Sequence, residues 1–190
     1  MCVDLSNWNE TKNAIQALGP IDLLVNNAAY AKLTPLIDNE VTEDDCDAHF
    51  AVNVKAVVNV TQIVAKGMIE RKSGGAIVNV SSQAGIAALK DHLIYSASKG
   101  ALDAMTKVMA LEYGPHGIRT NSINPTVTMT EMAKVGWSDP VVAQAMLSKI
   151  PLGRFAEVDD VVDVILYLLS DKADMINGVL LPIDGGFLAC

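Results

Sequence analysis

The sequence predicts an α/β fold built on a doubly wound parallel sheet with helices on both faces. Short apolar runs alternate with longer amphipathic stretches, which is typical of strands that alternate with covering helices. Joins such as Gly19-Pro20 and Gly74-Gly75 separate these elements. With 190 residues, 51% of them hydrophobic, the chain can bury one sizeable core. We therefore expect a single domain over residues 1–190.

The alternation can be assigned to individual elements. Strands are predicted over residues 21–26, 76–81, 120–124 and about 179–182, and residues 2–5 are interpreted as the end of a further strand. Helical spacing predicts helices over residues 7–18, 46–71, 95–113, 141–149 and 157–169. Thr42, followed three residues later by Asp45, predicts a helix N-cap.

Charge and composition exclude several function classes. A net charge of -8 provides no basic stripe to neutralise phosphates, so nucleic acid is not an expected partner. No apolar run reaches the roughly 18 residues of a transmembrane helix. The cysteines, at positions 2, 46 and 190, are widely spaced and form no ligand cluster. We therefore expect reduced thiols, no metal site and a cytoplasmic location.

Ser82, Tyr95 and Lys99 form the pattern with the clearest chemistry. Lys99 follows Tyr95 by four residues, so both side chains lie on one face of the predicted helix. A phenol has a pKa near ~10, and a neighbouring ammonium lowers that pKa by favouring the phenolate. Ser82 follows an apolar run, and its hydroxyl can donate to a carbonyl oxygen that gains charge during hydride attack. Alone, such a pair also occurs on solvated helix surfaces, and paired serines also occur in turns.

Further segments accompany these three residues: polar runs at 26–29 and 124–130, and Asn53 within a predicted helix. With them, the chain resembles the short-chain dehydrogenase/reductase family over essentially its whole length. Within that family it is most similar to the L-xylulose (dicarbonyl) reductases and the tetrameric carbonyl reductases. The resemblance implies a Rossmann-like sheet and a carbonyl reductase. This enzyme would transfer hydride from NADPH to a small polar ketone such as L-xylulose or an α-dicarbonyl.

The resemblance also implies roles for individual residues. Tyr95 would protonate the substrate oxygen as general acid, and Lys99 would lower the pKa of that phenol. Ser82 would orient the carbonyl, and Asn53 would hold a water that links Lys99 to solvent. The residues implied to bind NADP(H) are Asp4, Leu5, Asn26, Ala28, Tyr95, Lys99, Thr128 and Thr130. Binding of NAD(H) is not excluded, because the family residues that select between the two cofactors have no counterpart in the sequence.

The pocket wall for the substrate is implied by a second set of matches. It consists of Ser82, Gln83, Leu89, His92 and Trp137. These polar residues favour a small polar carbonyl over a steroid, and residues 130–150 resemble the family's substrate lid. For His92 alone, a surface or structural role is an equal alternative to substrate contact.

One part of the family pattern has no counterpart in the sequence. Family members begin with strands, helices and a Thr-Gly-x-x-x-Gly-x-Gly loop, about 50–60 residues in all. Without them, residues 21–26 would form an exposed apolar edge strand. Three interpretations stay open: an incomplete sequence, an inactive short isoform that joins full-length subunits, and a small binding domain. The resemblance implies homotetramers through the helices at 53–71 and 95–113 and the last strand, or association with a full-length paralogue.

Overall fold

The computed structural model describes residues 1–37 and 40–190, and in it four parallel strands form one sheet. The strands lie in the order β1-β2-β3-β4 and are Leu23–Asn26, Gly75–Val80, Ile118–Pro125 and Leu180–Ile183. Each corresponds to one of the strands predicted from residue 21 onwards. The predicted parallel α/β sheet is therefore confirmed.

Helices connect the strands along the described part of the chain. They are α1 Trp8–Gln16, α2 Glu43–Phe50, α3 Val57–Arg71, α4 Leu93–Tyr113, α5 Glu131–Gly136, α6 Pro140–Leu147 and α7 Val158–Leu169. The short helix α5 was not expected from the sequence. The other helices begin and end within two residues of the predicted positions, apart from the divided helix over 46–71 described below.

The helices cover both faces of the sheet. Neighbouring residues of a strand point to opposite sides, so apolar residues on both sides need helices to bury them. On one face, Ile77 of β2 belongs to a buried cluster with Val64 and Met68 of α3. On the other face, Val78 of β2 belongs to a cluster with Leu168 of α7. The sheet is therefore doubly wound, as predicted.

The stretch predicted as one helix over 46–71 consists of three segments. Helix α2 begins after Thr42, whose side-chain oxygen accepts the Asp45 N–H at 3.2 Å, so the predicted N-cap is confirmed. Between α2 and α3, the segment Ala51–Ala56 is π-helical. Neither proline nor glycine marks this segment in the sequence, so the helical periodicity continues through it without a visible break.

The strand predicted over residues 2–5 is wrong. An extended segment becomes a strand only when a neighbour accepts and donates its backbone hydrogen bonds, and β1 pairs with β2 alone. The chain instead forms a local turn at Asp4. The Asp4 carbonyl accepts the Asn7 N–H at 3.1 Å, and its carboxylate accepts the N–H and hydroxyl of Ser6.

Strand β1 forms one edge of the sheet, and two of its apolar side chains are exposed. The exposed fraction is 54% for Leu23 and 37% for Val25. The expected exposed apolar edge is thus observed at this strand.

Candidate active site

The carboxyl ends of β1, β2 and β3 meet at one edge of the sheet, where parallel α/β sheets bind their ligands. After β2 comes Ser82, whose side-chain oxygen accepts the Ala84 N–H at 3.1 Å and starts a single 3₁₀ turn. A cavity of about 640 Å³ opens at this edge. Its polar lining includes Asn27, Ser82, Tyr95, Thr128 and Thr130, and its apolar lining includes Val25, Val158, Val162 and Leu166.

Helix α4 brings Tyr95 and Lys99 to this edge on one face, as their spacing predicts. Lys99 is buried, and its ammonium donates a hydrogen bond to the carbonyl oxygen of Val80 at 2.8 Å. The Lys99 Nζ lies 5.7 Å from the centroid of the Tyr95 ring. Ser82 and Tyr95 line the same cavity, and Ser82 is close enough to influence the pKa of the phenol. The three residues predicted from the sequence therefore lie together.

Burial sets the proton affinities of this group. It raises the pKa of Tyr95 above its ordinary value, and the nearby Ser82 hydroxyl opposes the rise. The expected lowering of this pKa by Lys99 therefore does not dominate. Burial also lowers the pKa of Lys99 to about 8, and the negative charge of Asp103 opposes this decrease. At neutral pH Tyr95 keeps its proton and Lys99 its charge, the state required of a proton donor.

Asn53 lies in the π-helical segment and is almost completely buried. Its side-chain oxygen accepts the Tyr30 N–H at 2.8 Å, and its amide donates to the Tyr30 carbonyl at 2.9 Å. The same amide donates to the Ser98 hydroxyl at 2.9 Å, which in turn donates to the carbonyl of Tyr95 at 2.8 Å. Asn53 therefore connects the loop after β1 to the helical turn that carries Tyr95.

One aromatic neighbour of Tyr95, His49, was not identified from the sequence. The ring of His49 lies edge-on to Tyr95 with centroids 6.4 Å apart, and edge-on to Tyr30 at 4.8 Å. His49 is buried, with Nδ1 at 2.6 Å from the Asp45 carbonyl oxygen and Nε2 accepting the Lys32 N–H at 3.1 Å. No local pattern marks this histidine, because its contacts with Tyr30, Tyr95 and the Lys32 N–H come from outside α2.

Six of the eight residues implied to bind the cofactor line one of two cavities. Thr128 and Thr130 line the large cavity beside Tyr95. Leu5, Asn26 and Ala28 line a smaller cavity of about 210 Å³ between β1, α1 and α3. The side chain of Asn26 is already engaged, since its amide donates to Asn79 at 2.8 Å and to Thr61 at 3.0 Å.

Asp4 is exposed and does not belong to the described lining of either cavity. Its carboxylate instead accepts from Ser6 within the local turn.

The implied substrate residues are less closely grouped. The His92 ring lies edge-on to Tyr95 at 6.2 Å, and its Nδ1 contacts the Lys90 carbonyl. Trp137 packs against Phe155, with centroids 5.3 Å apart. Gln83 is 2% exposed, and its side-chain oxygen has no hydrogen-bond partner among the described residues. Leu89 is half-buried. Of these four implied residues, His92 is the one with a ring contact to Tyr95.

Within residues 1–37 and 40–190, no group of His, Cys, Asp and Glu side chains has the arrangement of a metal site. In the same residues, no helix combines the length and the apolar character needed to cross a bilayer.

Comparison with known proteins identifies similar chains. The model of the enoyl-(acyl carrier protein) reductase family matches residues 2–188. The chain is 59% identical over 189 residues to L-xylulose reductase of Mus musculus and covers 77% of that protein. It is 55% identical over 188 residues to D-erythrulose reductase of Gallus gallus and covers 76% of it. All of this chain is matched in the first comparison and 99% in the second.

Solved structures match the fold equally well. A gluconate 5-dehydrogenase from Burkholderia cenocepacia J2315, in complex with NADP and tartrate, superposes with a TM-score of 0.93 at 32% identity. The match covers 99% of this chain and 74% of that one. An NAD⁺-bound xylitol dehydrogenase superposes with a TM-score of 0.91 at 30% identity, over 98% of this chain and 78% of that one.

Proposed function

The chain belongs to the short-chain dehydrogenase/reductase family, and from this premise we propose that it reduces a small polar ketone with NADPH. The observation that carries the proposal is the grouping of Ser82, Tyr95 and Lys99 around one cavity at the carboxyl edge of the sheet. The chain is an oxidoreductase acting on a carbonyl or the corresponding alcohol. Two of its relatives are named reductases of L-xylulose and D-erythrulose, both polyhydroxy ketones.

The residues present fit the nicotinamide end of the cofactor. Thr128 and Thr130 line a cavity of about 640 Å³ whose lining also includes Tyr95 and Ser82. Hydroxyl groups suit ribose and carboxamide oxygens and nitrogens, because each can donate and accept hydrogen bonds. Thr128, Thr130, Tyr95 and Lys99 would hold this part of the cofactor. When bound, the cofactor supplies the hydride.

The proton comes from the protein. The Tyr95 hydroxyl donates its proton to the carbonyl oxygen as that oxygen gains negative charge, which leaves a phenolate on Tyr95. The Lys99 ammonium, 5.7 Å from the ring centroid, favours that phenolate. The Ser82 hydroxyl donates a hydrogen bond to the same carbonyl oxygen and so fixes its position. Solvent then returns a proton to Tyr95.

Two features support a polar substrate. Ser82 and Tyr95 line the cavity, and His92 lies edge-on to Tyr95. Hydroxyl and imidazole groups can form hydrogen bonds with the hydroxyls of a ketose. In an apolar pocket, the same ketose hydroxyls would be left without partners. We accordingly assign L-xylulose-like ketoses and α-dicarbonyls as the substrate class, with Gln83, Leu89 and Trp137 proposed for the pocket wall.

Replacing Tyr95 with phenylalanine tests the central role. Tyr95→Phe removes the acidic proton and retains the ring, so kcat for L-xylulose reduction should fall by about 10²–10⁴-fold. Initial rates of NADPH consumption measure the loss. Titration of nicotinamide fluorescence measures NADPH binding, which should stay within about twofold, because one hydroxyl among several contacts is lost.

Tyr113→Phe is the matched control, since Tyr113 lies at the end of the same helix and away from the cavity. It should retain the parent rate. A Tyr95→Phe variant that keeps the parent rate would overturn the assigned role of Tyr95.

We further propose that residues 1–190 act as one cytoplasmic domain that assembles into a homotetramer. One sheet from β1 to β4 supports the single domain. Leu111 and Val108 of α4 are 77% and 51% exposed, which supports an interface on that helix. A charged substitution at Leu111 should therefore reduce the oligomer measured by sedimentation velocity.

A further inference from the structure

A buried carboxylate lies directly beneath the proposed catalytic group. Asp103 follows Lys99 by four residues on α4 and is 4% exposed. The Asn124 amide donates to Asp103 Oδ2 at 2.9 Å, and the Ser122 hydroxyl donates to Oδ1 at 3.1 Å. Both donors come from β3, so Asp103 is held between the helix and the sheet. A buried acid with such partners is rare unless another charge faces it.

Lys99 lies one helical turn before Asp103 on the same face of α4, and the negative charge of Asp103 acts on its ammonium. Two titratable groups of α4 accompany Lys99: the Tyr95 ring, whose centroid lies 5.7 Å from Nζ, and Asp103, whose charge raises the pKa of Lys99. From β2, Lys99 meets the Val80 carbonyl, and the Ser81 hydroxyl donates to the backbone carbonyl of Lys99 at 3.2 Å. His49 of α2 contacts Tyr95. Asp103 is therefore the negative side chain that opposes deprotonation of Lys99.

A second connection runs from Asp103 to the serine. The Asn124 amide that donates to Asp103 also donates to the backbone carbonyl of Ser82 at 3.0 Å. Space around the carboxylate is tight, because a Cβ at Gly85 would lie 2.7 Å from Asp103 Oδ2. One carboxylate thus lies one helical turn from Lys99 and is connected to Ser82 through Asn124.

We propose that Asp103 is a positioning residue that keeps Lys99 charged during the reaction and fixes Ser82 through Asn124. The proposal rests on the proposed function, because it assigns Lys99 its role in reduction. Asp103 itself does not touch the substrate. Its effect should appear as a change in the pH at which Lys99 loses its proton.

The Asp103→Asn variant tests the proposed role of Asp103, because it removes the negative charge and almost preserves the shape of the side chain. In the parent protein, kcat/KM for reduction should fall as pH rises through about 8, where Lys99 loses its proton. Removing the negative charge makes that proton easier to lose. The falling limb should therefore move to lower pH by about one unit in the variant.

A second measurement does not need turnover. Carbon-13 NMR of lysine labelled at Cε, with the Lys99 signal assigned by Lys99→Arg, follows the Lys99 titration in the protein without cofactor. The midpoint should drop by about one pH unit in Asp103→Asn. Asp103→Ser, which leaves space for a water, should give the same direction and serves if the asparagine variant does not fold.

Ser122→Ala is the matched control, because it removes one hydrogen bond to Asp103 and keeps the charge. It should leave both the limb and the midpoint in place. An unmoved Lys99 midpoint in the Asp103 variants would overturn the proposal, as would a moved midpoint without a moved limb. Absence of turnover in the parent protein would instead contradict the proposed function, and the NMR midpoint would still test Asp103.

Discussion

At the scale of single residues, buried amides join the elements around the site. Asn79 of β2 is completely buried. Its oxygen accepts the Asn26 amide of β1 at 2.8 Å, and its own amide donates to the Thr106 hydroxyl of α4 at 2.9 Å. Side-chain hydrogen bonds thus connect two strands and the helix that carries Tyr95. Fixed distances between these elements keep the catalytic side chains in register.

Replacing Asn79 should therefore cost stability. Asn79→Ala removes the hydrogen bonds with Asn26 and Thr106 and the weaker one to the Met109 sulfur, and it opens a small cavity. Its free energy of unfolding should decrease by about 2–4 kcal/mol. Urea unfolding followed by circular dichroism measures the loss. Asn13→Ala, at an exposed position of α1, should change stability by less than about 0.5 kcal/mol, and an equal effect at both positions would contradict the assignment.

The residues of the site differ in how far the sequence could predict them. Tyr95 and Lys99 were found because helical spacing is a local property, and Ser82 because it follows an apolar strand. Asp103 has the same spacing from Lys99 and could have been found in that way. His49 could not, because its contacts with Tyr95 and with the Lys32 N–H arise only when three separate segments pack together.

At the scale of elements, local patterns determined most of the fold. The four strands of the sheet were predicted because short apolar runs alternate with helical periodicity. The π-helical segment Ala51–Ala56 was not predicted, because its residues fit the same apolar spacing as the helices on either side. The supposed strand over 2–5 was wrong because strand formation depends on a hydrogen-bonded neighbour, which a local pattern does not reveal.

The N-terminal cap of helix α7 depends on the charge of a carboxylate, so the stability it contributes should depend on pH. Arg154 binds both oxygens of Asp160, at 2.6 and 2.9 Å, and the Asp160 carboxylate accepts the Glu157 N–H at 2.7 Å. The hydrogen bonds from Arg154 hold the pKa of Asp160 at about 2. An unfolded chain has a value near ~3.9. Because the folded-state value is the lower one, Asp160 stabilises the fold above about pH 4, and this contribution disappears as the pH falls towards 2.

Asp160→Asn should consequently lower the thermal midpoint at neutral pH, and the difference from the parent should shrink below about pH 4. Differential scanning calorimetry between neutral and acidic pH measures both midpoints. Asp159→Asn, at the preceding position of the same helical turn, should have a smaller effect, because none of the hydrogen bonds described here involves that carboxylate. A difference that does not depend on pH would contradict the role of the Asp160 charge.

At the scale of the whole molecule, the candidate active site and the apolar edge share one cavity. Val25 of β1 and Leu166 of α7 line the same cavity as Ser82 and Tyr95. Leu23, on the same edge strand, is 54% exposed. Unpaired backbone groups and apolar side chains together make an edge strand a template for pairing with another chain. The 190-residue chain should therefore self-associate through β1 as its concentration rises.

A lysine on the edge should oppose that association, because pairing would then bury a charge. Leu23→Lys should raise the dissociation constant by at least about tenfold, since burial of one leucine contributes roughly 1.5–3 kcal/mol. Sedimentation velocity over a series of concentrations measures the change. Met175→Lys is the matched control, because Met175 is 95% exposed and lies outside the described lining of the large cavity. If both lysine variants associate as strongly as the parent, association does not use β1, and the exposed face of α4 becomes the interface to test.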